Sequence, residues 1–340
     1  MQRIAVVGSG SWGTTLAVLV TEAGDEICTL WVHDAAEATE MRRRRENSRF
    51  LPGVPLPDGL VITADLQQAL DGASVVVLVV PMRRIEENLN LIGEWLPGSA
   101  LVVSGAKGLA PDSGERVSEL VARLLDRNVL DRFAVLSGPN LAREVAAHEP
   151  STSVAAAADA GVAERVQRLF GAPWFRTYAS DDVPGVELAG ALKNVVAIGA
   201  GMADGLRYGQ NAKAALMTRG LAEMTRLGKA AGANPLTFSG LAGIGDLVAT
   251  CNSAQSRNHY IGEQLAQGRR LDEITSRMDM VAEGIDTARG ALVLADRLGV
   301  EMPIVELMNE VLFNGMAATE AGERLMARDL VSELRGIDRA

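Results

Sequence analysis

The stretch Gly8-Ser-Gly-Ser-Trp-Gly13 decides the fold of the first half of the chain. It follows a short apolar run at residues 3–7, which predicts a buried parallel strand. Apolar residues with helical spacing follow over residues 14–23 and stop at Gly24. A second strand is predicted at residues 27–32, so the order strand, glycine-rich turn, helix and strand predicts a βαβ unit.

The three glycines of this turn have separate physical roles. Gly8 permits a tight turn out of the strand, Gly10 lets the backbone approach a phosphate, and Gly13 allows close packing of the helix on the strand. The N-terminus of the following helix offers free N–H groups and the positive end of its dipole to an anion. In a βαβ unit, such a turn predicts a binding site for the pyrophosphate of a nicotinamide dinucleotide.

The residues after the second strand are expected to bind the adenosine ribose of that dinucleotide. They are His33 and Asp34. Asp34 could accept a hydrogen bond from a 2′-hydroxyl, which would favour NAD. His33 together with Arg49 or an arginine from residues 42–45 could instead bind a 2′-phosphate, which would favour NADP. The residues leave the choice between NAD and NADP open.

Strands and helices alternate up to about residue 180, and almost only helical patterns follow. This change predicts a Rossmann-like, doubly wound parallel sheet in residues 1–180 and an all-α domain in residues 181–340. Residues 186–203 are apolar nearly all round, which predicts a central buried helix. The later strands of the sheet are predicted at residues 75–80, 100–104, 134–137, 153–156 and 176–178.

The composition disfavours several classes of protein. The net charge of −10 argues against binding to nucleic acid or to an anionic membrane. Two cysteines and three histidines without metal-ligand spacing predict neither a disulfide framework nor a metal site. The sequence shows no signal-peptide pattern and no uninterrupted apolar stretch of membrane-spanning length, so we expect a cytoplasmic protein.

Two lysines are candidates for chemistry. Ligands of an open α/β sheet bind beyond the carboxyl ends of its strands, and Lys107 follows such a strand between small residues. Lys193 lies halfway along the apolar helical pattern, where a lysine is rarely placed without a partner. Burial or a nearby cation would lower its pKa and suit it to proton transfer. Gly190 and Ala197 would leave room for a substrate beside it.

A polar cluster later in the chain supplies groups that could bind a phosphorylated substrate. Asp246 follows a glycine-rich stretch and could orient a catalytic lysine. Ser256, Arg257 and Asn258 combine hydroxyl, guanidinium and amide donors. This set suits a phosphate monoester, because arginine can bind it bidentately. An ordinary polar loop with helix caps is the alternative interpretation of these residues.

Eight collinear segments share their order and spacing with a known family: Gly8-Ser-Gly-Ser-Trp-Gly-Thr14, Asn47-Ser-Arg-Phe-Leu-Pro52, Ala106-Lys-Gly-Leu109, Ser137-Gly-Pro-Asn-Leu-Ala-Arg-Glu-Val145, Leu192-Lys-Asn-Val195, Gly240-Leu-Ala-Gly-Ile-Gly-Asp-Leu-Val-Ala-Thr-Cys251, Ser253-Ala-Gln-Ser-Arg-Asn258 and Val281-Ala-Glu-Gly284. On these segments the chain resembles the bacterial type of NAD(P)-dependent glycerol-3-phosphate dehydrogenases. The resemblance covers about residues 4–315.

The resemblance implies the reversible reduction of dihydroxyacetone phosphate to sn-glycerol 3-phosphate with NAD or NADP, which supplies phospholipid synthesis. It makes Lys193 the general acid and base, with Lys107 and Asp246 as further catalytic residues. The substrate-binding residues that it implies are Lys107, Gly138, Asn140, Lys193, Asp246, Ser256, Arg257 and Asn258. The cofactor contacts expected from the turn, the second strand and the resemblance are Gly8, Gly10, Ser11, Trp12, Gly13, His33, Lys107, Ala142, Arg257, Val281 and Glu283.

Two positions depart from the family's pattern. Position 140 is Asn, where the family often has Ser or Thr, and position 50 is Phe, where Tyr is also common. An amide can still hydrogen-bond a hydroxyl, so we expect the contact of Asn140 to survive. Phe50 keeps a stacking face and lacks the hydroxyl.

Two other functions compete with this assignment. A β-hydroxyacid dehydrogenase would also combine a Rossmann domain, a helical domain and a catalytic lysine. It would need a carboxylate site, however, where residues 256–258 suit a phosphate. A nucleotide-sensing module without chemistry would not need Lys107, Lys193 and Asp246. The apolar helical domain also predicts a homodimer.

Overall fold

The computed structural model describes residues 2–330 except residues 25 and 279, together with residues 332, 333 and 336. The chain divides into two compact units. The sheet unit comprises Met1–Ala106 and Val117–Val183, and the helical unit comprises Lys107–Arg116 and Pro184–Ala340. A short segment of the first half of the sequence therefore belongs to the helical unit.

The sheet unit is built on one eight-stranded sheet with the order β3-β2-β1-β4-β5-β6-β7-β8. Neighbouring strands are parallel except β6 and β7, which pair antiparallel. The strands are β1 Arg3–Val7, β2 Ile27–Trp31, β3 Val61–Thr63, β4 Val75–Leu78, β5 Leu101–Ser104, β6 Phe133–Ser137, β7 Ser151–Ala156 and β8 Phe175–Ser180.

Burial along the strands follows their residue patterns. Both β4 and β5 are buried along their whole length, as expected for apolar runs in a parallel sheet that is covered on both faces. The edge strand β8 instead alternates, with Phe175 and Thr177 buried and Arg176 and Tyr178 exposed. The pattern therefore distinguishes central strands from this edge strand.

The predicted fold class, a Rossmann-like sheet followed by a helical domain, is confirmed. All seven predicted strands form, with ends shifted by up to two residues. The sequence did not predict β3, which has only three residues and too short a pattern to recognise. It also did not predict the antiparallel direction of β7, because strand direction depends on the pairing partner.

The helices of the sheet unit connect its strands. Three of them begin at an aspartate, Asp34, Asp65 or Asp159, whose side chain accepts a hydrogen bond from a backbone N–H of the first turn. The helices are α1 Ser11–Ala23, α2 Ala35–Arg44, α3 Leu66–Leu70, α4 Ile85–Gly93, α5 Val117–Leu124, α6 Ala142–Ala146 and α7 Ala160–Leu169.

The helical unit is organised around one long buried helix. Its helices are α8 Val183–Gly205, α9 Gln210–Ala230, α10 Asp246–Asn252, α11 Arg257–Ala266, α12 Leu271–Thr275, α13 Glu283–Leu298, α14 Pro303–Phe313 and α15 Ala318–Met326. Helix α8 is long and apolar enough to cross a membrane, but its apolar window is fully buried within the protein. It is therefore the core helix that the sequence predicted at residues 186–203.

The segment Lys107–Arg116 packs against helices α8 and α13 of the helical unit. Arg116 Nη1 lies 3.0 Å from Glu187 Oε2 of α8, and both side chains are largely buried. Gly114 has a left-handed φ of +66°, and a Cβ there would lie 2.7 Å from the carbonyl oxygen of Gly290. The predicted boundary near residue 181 did not separate this segment, because its partners are remote in sequence.

A buried carboxylate joins α9 to α14 and makes the stability of the helical unit depend on pH. Both carboxylate oxygens of Glu223 lie 3.0 Å from the backbone nitrogen of Ile304, at the start of α14. Burial raises the pKa of Glu223 to about 7. The unfolded chain releases this proton near pH 4.5. The native state therefore holds an extra proton between these values, and stability falls as pH rises through that window.

We expect Glu223→Gln to remove this loss of stability, because the amide does not titrate. The variant should therefore gain stability relative to the parent chain: the difference between their free energies of unfolding, variant minus parent, should be larger at pH 8 than at pH 5. Urea unfolding followed by circular dichroism at both pH values measures the difference. Glu323→Gln, at an exposed position of α15, controls for the loss of one charge. An equal effect of Glu223→Gln at both pH values would contradict the expectation.

Candidate active site

The glycine-rich turn lies where β1 passes into α1. Gly8 has a left-handed φ of +118°, and a Cβ there would lie 2.4 Å from the carbonyl oxygen of Val79. A Cβ at Gly13 would lie 1.9 Å from the carbonyl oxygen of Gly8, so the helix packs directly on the turn. A Cβ at Gly10 would meet nothing within 4 Å. The open position is thus the one where a phosphate needs access to the backbone.

Side-chain hydrogen bonds hold the turn in this shape. The buried Asn47 amide donates to the carbonyl oxygen of Ser9 and to Thr14 Oγ1, each at 2.8 Å. Ser11 Oγ donates to the carbonyl oxygen of Phe50 at 2.6 Å. Residues 47–50 therefore brace the turn from outside the βαβ unit.

The turn fits a dinucleotide on two observations. The N-cap residue of α1 is Gly10, which has no side chain to cap the first N–H groups of the helix, so these remain for an anion. In addition, Trp12 Nε1 is buried and has no hydrogen-bond partner among the residues that the structure describes. A buried donor without a partner is costly, so Trp12 suits a ligand that supplies an acceptor.

Most groups near the end of β2 are already engaged in intrachain contacts. Asp34 Oδ1 accepts from the backbone N–H of Glu37 at 2.8 Å and so caps α2. The guanidinium groups of Arg43 and Arg44 pair with Glu40. Those of Arg42 and Arg45 donate to backbone carbonyls. The arginines at 42–45 therefore brace α2 and the loop after it, and His33 packs edge-on against Trp31.

Three further predicted residues lie after β6. Gly138 has a left-handed φ of +151°, and a Cβ there would lie 3.0 Å from Ser153 Cα. Asn140 is bound to β7, since its Nδ2 donates to the carbonyl oxygen of Thr152 at 2.8 Å and its Oδ1 accepts from Ser153 Oγ at 3.1 Å. Ala142 opens α6, and its carbonyl oxygen accepts from Thr15 Oγ1 at 3.1 Å.

In the helical unit, two lysines meet on one buried carboxylate. Lys193 Nζ donates to Asp246 Oδ1 at 2.5 Å, and Lys107 Nζ donates to Asp246 Oδ2 at 2.8 Å. The Asp246 side chain is 2% exposed and that of Lys193 is 7% exposed, whereas that of Lys107 is 15% exposed. Lys193 Nζ also donates to Thr250 Oγ1 at 2.6 Å. We call Lys107, Lys193, Asp246 and Thr250 the lysine cluster.

Local structure explains how the cluster forms. A π-helical turn, Leu241–Gly245, leads directly into α10, so Asp246 is the first residue of that helix and Thr250 follows one turn later. A Cβ at Gly243 would lie 2.1 Å from the carbonyl oxygen of Phe238, so the turn needs glycine there. Single π-helical turns are frequent at functional sites. Here the turn aims Asp246 at the middle of α8.

Burial lowers the pKa of Lys193 to about 8, because the charged ammonium is removed from water. The nearby carboxylate of Asp246 opposes this shift, and the second ammonium group, Lys107, reinforces it. A lysine whose pKa lies near the pH of the solution can both release and recover a proton. The arrangement can therefore perform general acid–base chemistry.

The predicted phosphate-binding residues lie at the start of α11. Ser256 caps the helix, and its Oγ accepts from the backbone N–H of His259 at 3.2 Å. Asn258 Nδ2 donates to Asn194 Oδ1 at 2.9 Å, and its Oδ1 accepts from the N–H of Gly284 at 3.0 Å. Arg257 is exposed and donates to the carbonyl oxygen of Val281, two residues before Glu283 opens α13.

Sequence reasoning missed three residues as members of a site: Asn47, Asn194 and Thr250. Each lies within a segment quoted for the resemblance, but none has a local pattern that marks it. Asn47 and Asn194 are buried asparagines, and a buried amide needs partners. That rule could have pointed to them once burial was known.

Within the described part of the chain, no three His, Cys, Asp or Glu side chains form a group that could hold a metal ion.

Family models and individual relatives both show similarity to glycerol-3-phosphate dehydrogenases over most of the chain. Residues 3–163 match the N-terminal family model of NAD-dependent glycerol-3-phosphate dehydrogenase, and residues 182–323 match its C-terminal family model. A glycerol-3-phosphate dehydrogenase [NAD(P)+] of Geobacter sp. strain M21 is 50% identical and covers 98% of this chain and 99% of its own length. The enzyme of the same name from Geobacillus thermodenitrificans is 46% identical, over 99% of this chain and 98% of its own.

A solved structure is similar over the same extent. The crystal structure of glycerol-3-phosphate dehydrogenase from Coxiella burnetii is 35% identical, with a TM-score of 0.91 over 96% of this chain and 98% of its own. A structure from Dunaliella salina is 26% identical, with a TM-score of 0.87 over 95% of this chain and 60% of its own.

The charges around Lys193 predict opposite effects of two substitutions on its pKa. Asp246→Asn removes the charge that raises this pKa, so the pKa should fall below about 8. Lys107→Met removes a like charge, so the pKa should rise. Each change should be on the order of one pKa unit, as is usual for charges that interact at close range. Titration of isotopically labelled lysine side chains by NMR measures it, since the chain has only four lysines, Lys107, Lys193, Lys213 and Lys229.

Lys229→Met is the matched control and should leave the pKa of Lys193 unchanged. Shifts of the same sign for Asp246→Asn and Lys107→Met would show that the two charges do not act on Lys193 in the way their positions require.

Proposed function

The chain belongs to the NAD-dependent glycerol-3-phosphate dehydrogenase family, and we propose that it catalyses the reversible reduction of dihydroxyacetone phosphate to sn-glycerol 3-phosphate with Lys193 as the proton donor. The observation that carries the proposal is the buried lysine cluster, in which Lys193 has a pKa of about 8 and donates a hydrogen bond to Asp246. The product is a precursor of phospholipids.

NAD(P)H, when bound, supplies a hydride to the carbonyl carbon of the substrate. As that bond forms, negative charge develops on the carbonyl oxygen, and the ammonium group of Lys193 delivers a proton to it. In the reverse direction, neutral Lys193 takes the proton from the hydroxyl group. Asp246 and Thr250 hold Nζ at 2.5 Å and 2.6 Å, which limits the directions in which its protons can point.

Lys107 has a different role in this proposal. Its ammonium group shares Asp246 with Lys193 but is more exposed, so it can reach a bound substrate. A second positive charge near the developing oxyanion stabilises the transition state without transferring a proton. It also keeps the pKa of Lys193 low, which makes Lys193 the better acid.

The phosphate of the substrate is expected to bind at the start of α11. This helix has ten residues, and we propose that the guanidinium of Arg257 binds the phosphate together with the backbone N–H groups of the first turn that Ser256 does not cap. The side chains of Ser256 and Asn258 are occupied in holding the first turn and its neighbours. Their contribution to phosphate binding is therefore mainly to keep the N–H groups and Arg257 in place.

For the cofactor, we propose that the pyrophosphate binds at the turn of residues 8–13 in the sheet unit, with Trp12 Nε1 as a donor. This rests on the open space at Gly10, the uncapped start of α1 and the buried donor of Trp12. We further propose cofactor contacts at Ala142 and, in the helical unit, at Arg257, Val281 and Glu283, as the resemblance to the family implies.

We also propose that the enzyme acts in the cytoplasm as a homodimer. Both cysteines, Cys28 and Cys251, are free and buried, which suits a reducing compartment. Several large apolar side chains of the helical unit are exposed, including Leu236 at 75% and Val248 at 43%, as an interface would require. Light scattering after size exclusion should give about twice the chain mass of 35.9 kDa. A single-chain mass would refute the dimer.

The central experiment replaces the proposed proton donor. Lys193→Met should lower turnover of dihydroxyacetone phosphate by roughly 10²–10⁴-fold, the usual contribution of a general acid. Affinity for NADH or NADPH, measured by fluorescence titration, should remain nearly unchanged. Lys229→Met, at an exposed position of α9, is the matched control and should retain turnover within about twofold. Unchanged turnover of Lys193→Met would refute the assignment.

The pH dependence of the parent enzyme gives a second readout of the same group. Reduction requires protonated Lys193, so kcat/KM for dihydroxyacetone phosphate should fall as pH rises above about 8. Oxidation of glycerol 3-phosphate requires the neutral amine, so its kcat/KM should rise through the same pH. Profiles without opposite trends in the two directions would contradict this role.

A further inference from the structure

Outside the lysine cluster, the helical unit holds a second group of charges that is mostly buried. Asp204, near the end of α8, accepts two hydrogen bonds on the same oxygen, Oδ2. The donors are Lys213 Nζ at 2.6 Å and His259 Nε2 at 2.7 Å. The donor side chains are only 9% and 10% exposed. Glu263 also faces this group, with its Oε2 3.9 Å from His259 Nδ1.

This group ties together three helices. Asp204 belongs to α8, Lys213 to the first turn of α9, and His259 to the first turn of α11. Buried ion pairs contribute little net stability, because desolvation of the charges offsets their attraction. Their best-attested use is to fix one arrangement of the elements that they join.

The two helices α8 and α11 touch at the level of their backbones. A Cβ at Gly201 would lie 1.9 Å from the carbonyl oxygen of His259, and one at Gly262 would lie 1.9 Å from that of Ile198. Glycine at both positions lets the helices approach as closely as backbones allow. This contact fixes their separation, but it does not by itself prevent sliding or rotation. The side-chain bond from Asp204 to His259 opposes such movement, together with the bond between Asn258 and Asn194.

The first turn of α11 carries both His259 and the groups that we assign to the phosphate. His259 is directly next to Asn258, whose amide reaches Asn194 beside Lys193 at 2.9 Å. Helix α8 in turn carries Lys193 in its middle and Asp204 near its end, eleven residues and about 16 Å along the axis. One rigid helix thus holds both the proton donor and the anchor of the phosphate-binding turn.

We propose that Asp204, Lys213 and His259 form a positioning cluster, which fixes the first turn of α11 against α8. The cluster thereby sets the separation between the phosphate of the substrate and Lys193. This proposal rests on the proposed function, in which the phosphate binds at the start of α11. The three residues are positioning residues, since none of them belongs to the groups assigned to the substrate.

The test compares two ketones that differ in the phosphate. Asp204→Asn should raise KM for dihydroxyacetone phosphate by roughly 10–100-fold with much less change in kcat, because a displaced phosphate site weakens binding of the ground state and of the transition state alike. Dihydroxyacetone lacks the phosphate and should keep its kcat/KM. Affinity for NADH should also be unchanged. Asp296→Asn, an exposed carboxylate on α13, controls for the loss of charge.

A conservative pair at position 259 keeps the test valid if Asp204→Asn folds poorly. His259→Gln retains an N–H that can reach Asp204, whereas His259→Leu does not. His259→Gln should therefore restore most of the affinity for dihydroxyacetone phosphate, while His259→Leu should show the high KM. A role in stability alone would lower the melting temperature and the active fraction without separating the two ketones.

Equal loss with both ketones, or an unchanged KM for dihydroxyacetone phosphate in a folded Asp204→Asn or His259→Leu variant, would overturn the positioning role. A parent enzyme that does not reduce dihydroxyacetone phosphate would instead refute the proposed function itself. The two failures are therefore distinguishable in one set of assays.

Discussion

The functional arrangement of the helical unit depends on one buried carboxylate that is shared by two ammonium groups. Lys193 sits in the middle of an apolar helix, where its charge would be costly without an opposite charge at hydrogen-bond distance. Asp246 supplies that charge, while burial and Lys107 act against it. Because the carboxylate offsets only part of the effect of burial, the pKa of Lys193 falls to about 8, and the ammonium group is acidic enough to give up a proton.

Glycine makes the necessary approaches possible. Short side chains such as those of Asn194 and Asn258 can bond only if their helices come very close, and glycines at 201, 262 and 284 remove the atoms that would prevent it. A Cβ at Gly284 would lie 2.7 Å from the carbonyl oxygen of Asn194. The polar groups of the unit are thus held by backbones in contact, with little freedom for the side chains between them.

The sequence predicted the features that repeat along the chain and missed those that depend on remote contacts. Strands β4 and β5 and helix α8 are mostly apolar, so their type and burial follow from the local pattern. Lys193 could be predicted as a functional residue because it interrupts such a pattern. By contrast, the helix beginning at Asp246 follows a glycine-rich stretch that looks like a loop, and Thr250 has a role only because α10 packs near α8. The pairing of Arg116 with Glu187, which are 71 residues apart, had no local signal.

The assignment of residues 107–116 to the helical unit has a consequence for how the protein is made. Lys107 leaves the ribosome with the strands of the sheet, yet its partner Asp246 follows 139 residues later. At synthesis rates of about 5–20 residues per second, the lysine waits on the order of ten seconds for its carboxylate. A sheet unit that folds during synthesis therefore does so while residues 107–116 still lack these partners. For the same reason, the helical unit cannot be produced as one continuous fragment that starts at residue 184, because that fragment would lack Lys107.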